Sequence, residues 1–107
     1  MILADVAHSR AGDKGTVVNL SVIVFDQADY LLLDAFLTAE RVGAHLGALV
    51  VGAGIRYDLP QIGAFNFVFR RRPGQSVTRT LDLDPHGKAL SSVLLSMSLP
   101  DRGTRAS

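Results

Sequence analysis

The chain has 107 residues, of which 48% are hydrophobic and 20% are charged, and it contains no cysteine. That length predicts a single domain with its own core, and the lack of cysteine excludes a disulfide framework, a thiolate-held iron–sulfur cluster and a thiol nucleophile. Eleven basic and ten acidic residues give a net charge of +1, so we expect neither nucleic acid nor a membrane surface as a partner. No apolar run is long enough to span a bilayer and no signal-peptide pattern opens the chain, so a cytoplasmic location is expected.

The first quarter of the chain predicts two strands joined by a polar loop. Residues 2–8 are apolar and short enough for a strand, and Ser9–Thr16 is rich in charge and glycine. The strongest strand signal is Val17–Phe25, because its hydrophobic residues alternate. One face of this strand carries Val18, Leu20, Val22 and Val24. The other face is mixed and carries Val17, Asn19, Ser21, Ile23 and Phe25.

Two helical segments are predicted next. The hydrophobic period changes over residues 26–37, and a second segment over residues 39–50 follows Thr38, whose hydroxyl can cap the helix. Gly43 and Gly47 each cost about 1 kcal/mol relative to alanine in a helix, which suggests either a close approach of helix and sheet or simple tolerance. We expect the run Gly52–Gly54 to end the second helix.

The second half of the chain predicts three further strands and a last helix. The strands cover residues 55–59, 62–70 and 77–83, with a turn at Pro73–Gly74 before the third. In the second of these strands, Phe65, Phe67 and Phe69 share one face, and Ala64, Asn66 and Val68 share the other. A helix is expected to start at Asp84–Pro85 and to bury a stripe formed by Leu90, Val93, Leu94 and Met97. We assign residues 1–98 to one domain and residues 99–107 to a flexible tail.

This order of elements favours an α+β sandwich, in which helices cover one face of a mostly antiparallel sheet. The chain alone then protects only the helix-covered face. The other face is where ligands or partners are expected.

The densest group of charged residues is Arg10-Ala11-Gly12-Asp13-Lys14-Gly15, between the first two predicted strands. Glycine permits a close backbone approach, so consecutive N–H groups can point at one anion while Arg10 and Lys14 supply charge. We therefore predict a pocket for a carboxylate or phosphate here, with Gly12 and Gly15 freeing the backbone. The alternative is an ordinary charged turn.

Several polar residues outside this segment are candidates for the same pocket. Asn19 and Asn66 interrupt apolar strands and can line the site or pin the backbone, and Arg56 can reach an anion or pair with an aspartate such as Asp58. His8 lies beside the charged segment and is a candidate for moving a proton. The histidine spacing fits no metal-binding motif, so neither a metal nor a cofactor is expected.

Five ordered motifs together resemble the AtuA-like ferredoxin-fold domain, the C-terminal part of acyclic terpene utilisation proteins. They are the Arg10–Gly15 segment with Asn19, Phe36–Val42, Arg56–Pro60, Ala64–Val68, and Leu83-Asp84 with His86-Gly87-Lys88. The sequence departs from the family pattern at Ala11, where serine is expected, at Leu20-Ser21, and at Arg71–Gly74, which replaces a glycine-rich turn.

The resemblance implies a ferredoxin-like sandwich and a setting in acyl-CoA or branched carboxylic acid catabolism. It also implies a larger AtuA-like subunit as partner when the domain is a separate chain. Two hypotheses follow. The chain is an accessory subunit of such a complex, which we expect to form a homo-oligomer without its partner, or it is a small enzyme acting on an acyl-CoA or carboxylate. In the enzyme, Asp13 or His8 would move a proton and Asn19 would polarise a carbonyl. A plain ligand-binding or assembly module is the remaining possibility.

Overall fold

A computed structural model of the chain describes residues 1–71 and 89–100, without the side chains of Asp13, Lys14 and Ala89. It contains one antiparallel sheet with strands in the order β1-β2-β4-β3. The strands are β1 (Ala7–Lys14), β2 (Val17–Val24), β3 (Val50–Leu59) and β4 (Ala64–Arg71). The α-helices in the described residues are α1 (Tyr30–Phe36), α2 (Ala39–Leu46) and α3 (Ala89–Leu95). The predicted turn at 73–74, strand 77–83 and helix start at 84–85 lie outside the described residues.

The core lies between the helices and one face of the sheet, which confirms the predicted α+β class. Val18, Leu20 and Val22 of β2 are buried beside Phe65, Phe67 and Phe69 of β4. The helices contribute Leu33, Leu37, Val42, Leu46 and Leu94 to the same cluster. The alternating patterns of these two central strands therefore predicted correctly which side chains face the helices.

The start of the chain differs from the prediction. A short 3₁₀ helix, Leu3–Asp5, replaces the first half of the predicted strand, and the Asp5 carboxylate accepts a hydrogen bond from the Ile2 N–H at 2.8 Å. Strand β1 then runs through most of the predicted loop and pairs with β2 at all eight of its positions. Pairing with a strong neighbouring strand overrides the turn preference of glycine and aspartate. The connection shrinks to Gly15 and Thr16, with Gly15 at a positive φ of 62°.

The second helix is shorter than predicted. The Thr38 hydroxyl caps it as expected by accepting from the Arg41 N–H at 3.0 Å, but α2 ends at Leu46 with Gly47 at a φ of 58°. The run Gly52–Gly54 does not end the helix, because it forms an irregularity inside β3, where the register against β4 shifts.

Close approach of α2 to the sheet is confirmed at Gly43 and not at Gly47. A Cβ atom added at Gly43 would lie 3.2 Å from the Phe69 ring, and one added at Gly54 would lie 2.1 Å from it. A Cβ at Gly47 would meet no atom within 4 Å. The Phe69 ring thus lies between two glycines, one on α2 and one in β3.

The two ends of the described fold meet. The Leu3 N–H donates to the Met97 carbonyl and the Leu99 N–H donates to the Met1 carbonyl, both at 2.8 Å. Leu99 is buried in the core, so the folded part includes a residue that we had assigned to the tail. No helix in the described residues is long and apolar enough to cross a membrane.

Candidate functional site

The candidate site is the face of the sheet that the described helices leave uncovered, which we call the open face. Strand register defines it, because residues paired across antiparallel strands share a face. It carries His8 and Arg10 from β1, Val17, Asn19, Ser21 and Ile23 from β2, Ala64, Asn66, Val68 and Arg70 from β4, and Val51, Ile55, Tyr57 and Leu59 from β3.

A row of four polar residues crosses the open face from one edge of the sheet to the other. Arg10 pairs with Ser21, Ser21 with Asn66, and Asn66 with Tyr57. With strands about 4.8 Å apart, this polar row is about 14 Å long. Guanidinium, hydroxyl, amide and phenol groups all donate hydrogen bonds, so the polar row suits a ligand or partner that offers oxygen acceptors.

Apolar side chains flank the polar row on the β3 side. Ile55 is 53% exposed and Leu59 is 44% exposed, and they lie on either side of Tyr57 along the same strand. Beyond the end of the open face, Phe25 and Ile62 are each more than 60% exposed. An exposed apolar area next to hydrogen-bond donors is typical of a binding surface.

The open face is locally positive, although the net charge of the whole chain is only +1. Arg10 and Arg70 both lie on it and are exposed, and none of its described side chains is acidic. The acidic residues near the sheet lie elsewhere, since Asp58 is on the opposite face and Asp34 is in α1. The face therefore favours anionic or acidic binding partners.

The predicted loop geometry of Arg10–Gly15 is wrong. Gly12 pairs with Asn19 inside the strand ladder, and Asp13 and Lys14 pair with Val18 and Val17. Successive N–H groups of a strand point to opposite edges, so they do not converge on one anion. The structure describes only the backbone of Asp13 and Lys14.

The structure places the side chains of four predicted site residues together on the open face. Arg10, Asn19 and Asn66 share the open face, as does His8, whose ring stacks on Phe25 with centroids 5.7 Å apart. Ser21 and Tyr57 complete the polar row, although we did not predict them as site residues. The alternation of β2 was the signal that could have found Ser21, and the alternation of residues 55–59 in β3 was the signal for Tyr57.

By its register with Val18, Asp13 lies at a position on the helix-covered face, and Arg56 is the other predicted site residue that the structure places elsewhere. It lies on the helix-covered face, and its side chain is only 19% exposed. Its guanidinium forms ion pairs with Asp34 at 2.7 Å and Asp58 at 2.8 Å, and it donates to the carbonyls of Asp34 and Leu37 at 3.0 and 2.9 Å. Arg56 therefore joins β3 to the end of α1, and its pairing with Asp58 was the structural alternative for this residue.

Tyr30 completes the cluster around Arg56. Its ring stacks on Phe65 with centroids 4.6 Å apart, and the Arg56 guanidinium lies 4.9 Å from the centre of the same Phe65 ring. Burial raises the pKa of Tyr30, and the carboxylates of Asp58 and Asp34 raise it further while Arg56 opposes them. The cluster is thus satisfied within the chain.

Two cavities lie on the helix side of the sheet. The first, of about 270 Å³, lies between α2 and the irregular part of β3, with the Phe69 ring and small residues as its walls. The second, of about 440 Å³, lies between α2 and the segment after α3. The described residues include no cluster of three or more histidine, aspartate or glutamate side chains that could hold a metal ion.

Comparison with known proteins tests the resemblance seen in the sequence. The family model of the AtuA ferredoxin-like domain matches residues 1–100. The chain belongs to this family. No curated protein and no solved structure matches it. Both the open face and the helix layer lie within the part of the chain that matches the AtuA ferredoxin-like domain.

Proposed function

We propose that this AtuA ferredoxin-like domain is a cytoplasmic accessory subunit that binds a larger AtuA-like subunit, in a complex acting on acyl-CoA or branched carboxylic acid substrates. The observation that carries the proposal is the open face, which combines exposed apolar residues, two arginines and no described acidic side chain. Membership of a family whose name denotes a domain supports a larger protein context.

The size of the open face is informative about the partner. Four strands of about eight residues present about 500 Å², whereas a stable interface buries about 800 Å² on each partner. A partner must therefore reach beyond the open face, and the exposed Phe25 and Ile62 at its end supply further apolar contact area. We expect the partner surface to be apolar at its centre and acidic opposite Arg10 and Arg70.

Co-purification tests this proposal. The tagged chain is co-expressed with a larger AtuA-like protein encoded beside it, and complex formation is measured by size-exclusion chromatography with light scattering. Ile55→Glu should weaken the complex at least tenfold because it places a charge in the apolar part of the interface. The matched control is Leu31→Glu on α1, where an equally apolar and 75% exposed residue lies away from the open face.

Two results would contradict the proposal. The wild-type chains could elute separately at micromolar concentration, or Leu31→Glu could weaken the complex as much as Ile55→Glu. Without its partner, the chain should associate with itself through the same surface, and a clean 11.4 kDa monomer at high concentration would count against that expectation.

The second candidate function is a small enzyme, or a binding module, for an acyl-CoA or carboxylate. It is favoured by one observation, the position of His8 and Arg10 two residues apart on the open face with Asn19 and Asn66. In this hypothesis Arg10 and Lys14 bind the anion, with Gly15 at the adjacent turn, and His8 transfers a proton. Turnover of acyl-CoAs by the purified single chain, reduced about 10²–10⁴-fold in His8→Gln, would favour this function.

A further inference from the structure

The larger cavity on the helix side, which we call the α2 groove, contains polar groups that the proposed function does not use. It is a shallow groove of about 440 Å³ that is open to solvent over most of its extent. It is lined by Arg41, Ala44, His45, Ser96, Met97 and Ser98.

Arg41 provides positive charge in this groove and is held in place. Its guanidinium lies 4.5 Å from the centre of the Phe36 ring, which restricts the long side chain. Among the described residues, no acidic side chain and no hydrogen-bond acceptor pairs with this guanidinium. Its N–H groups are therefore available to a planar pair of anionic oxygens.

The other side of the α2 groove is fixed by hydrogen bonds. His45, one turn after Arg41, donates from Nε2 to the Val93 carbonyl at 2.7 Å, and the Ser96 hydroxyl donates to the same carbonyl at 2.6 Å. Ser98 follows in a segment that bridges to Ile2, so its position is also fixed. Since the Ser96 proton is already used, Ser98 is the remaining hydroxyl donor among the described residues that line the groove.

We propose that the α2 groove binds the phosphate group of a small phosphate ester. A phosphate has enough oxygens to accept from two N–H groups of the Arg41 guanidinium and also from the Ser98 hydroxyl. A carboxylate that accepts from Arg41 with both oxygens has fewer lone pairs left for Ser98. The cavity is larger than one phosphate group needs, which leaves room for the organic part of the ester. This site is independent of the open face, because the helices and the sheet lie between them.

The probe for this proposal is inorganic phosphate, added to the full chain at constant ionic strength and followed by amide and arginine-side-chain NMR shifts. We expect saturable binding with a dissociation constant of roughly 1–10 mM, and the largest shifts at Arg41, His45 and Ser98. Arg41→Gln should weaken binding about tenfold or more, and Ser98→Ala by a few-fold. The matched control for Ser98→Ala is Ser92→Ala, which removes an exposed hydroxyl from α3 outside the residues that line the groove and should leave the affinity unchanged.

Each other outcome would overturn the proposal. Non-saturating shifts would indicate general charge screening, and equal losses in Ser98→Ala and Ser92→Ala would show that the Ser98 hydroxyl takes no part in binding. Acetate that binds as tightly as phosphate would show that the groove does not select phosphate. These outcomes are separate from those of the co-purification, which depends on Ile55 and the open face.

Discussion

The two faces of the sheet give an arginine side chain opposite surroundings. On the helix-covered face, Arg56 has two carboxylates, two carbonyls and an aromatic ring as partners, all from its own chain. On the open face, Arg10 is exposed in a polar row that runs to Tyr57. Both residues lie in edge strands, one at each side of the sheet.

The difference teaches how to separate residues that hold the fold from residues that are available for binding. A polar side chain whose partners all come from the same chain contributes to the free energy of unfolding. Replacing it is therefore expected to lower that free energy. A polar side chain on a surface without helices contributes little to stability and is measured by binding. The following predictions test this distinction, from the largest expected effect to the smallest.

The first prediction compares the two arginines directly. Arg56→Gln should lower the free energy of unfolding by about 2–3 kcal/mol, because it breaks two ion pairs and the bonds to two carbonyls at the end of α1. Partial exposure of Asp34 and Asp58 keeps the cost below that of a fully buried pair. Arg10→Gln should change stability by less than about 0.5 kcal/mol. Urea unfolding of the two variants measures both values, and similar losses would contradict the distinction.

The second prediction compares two glycines. Gly54→Ala should destabilise the fold by about 1–3 kcal/mol, because the new Cβ would lie 2.1 Å from the buried Phe69 ring and the ring must move. Gly12→Ala on the open face meets no atom within 4 Å, so it should be neutral or slightly stabilising. Thermal unfolding of both variants provides the measurement. An unchanged melting temperature in Gly54→Ala would show that Phe69 is not confined there.

The third prediction concerns alkaline pH. Since the pKa of Tyr30 is raised in the fold, the unfolded chain loses this proton first as the pH rises above the ordinary tyrosine value of about 10. Below that value both states keep the proton and Tyr30 causes no pH dependence, and above it the free energy of unfolding falls. Tyr30→Phe should remove this part of the fall in the free energy of unfolding with rising pH. Tyr57→Phe on the open face should keep it, and identical slopes in the two variants would refute the assignment.

The sequence was sufficient for the parts of the fold where one side of an element is uniformly apolar. The alternation of Val18, Leu20 and Val22, and of the three phenylalanines of β4, predicted both strands and their buried faces. The Thr38 cap was also predicted from residue type alone, whereas the contact of Gly43 with the sheet was one of two alternatives that the sequence left open.

The parts that were missed depend on pairing between distant segments. Gly12 and Asp13 favour a turn locally, and only the ladder with β2 makes them a strand. Arg56 is one residue from Tyr57, yet the alternation of β3 sends the two to opposite faces. The α2 groove was not predicted, since its walls come from residues 41–45 and 96–98 and become neighbours only in the folded chain.

The contact between Met1 and Leu99 has a consequence for protein engineering. Their 2.8 Å backbone bond places the two Cα atoms about 5 Å apart, so the polypeptide enters and leaves the fold at one point. A host protein can therefore carry this unit as an insertion in one of its own surface loops without being pulled apart. The point of attachment lies near Ser98, on the helix side, so a unit grafted in this way would keep its uncovered sheet accessible. The same geometry permits a circular permutant in which a short linker joins the old ends and new ends open at Gly15.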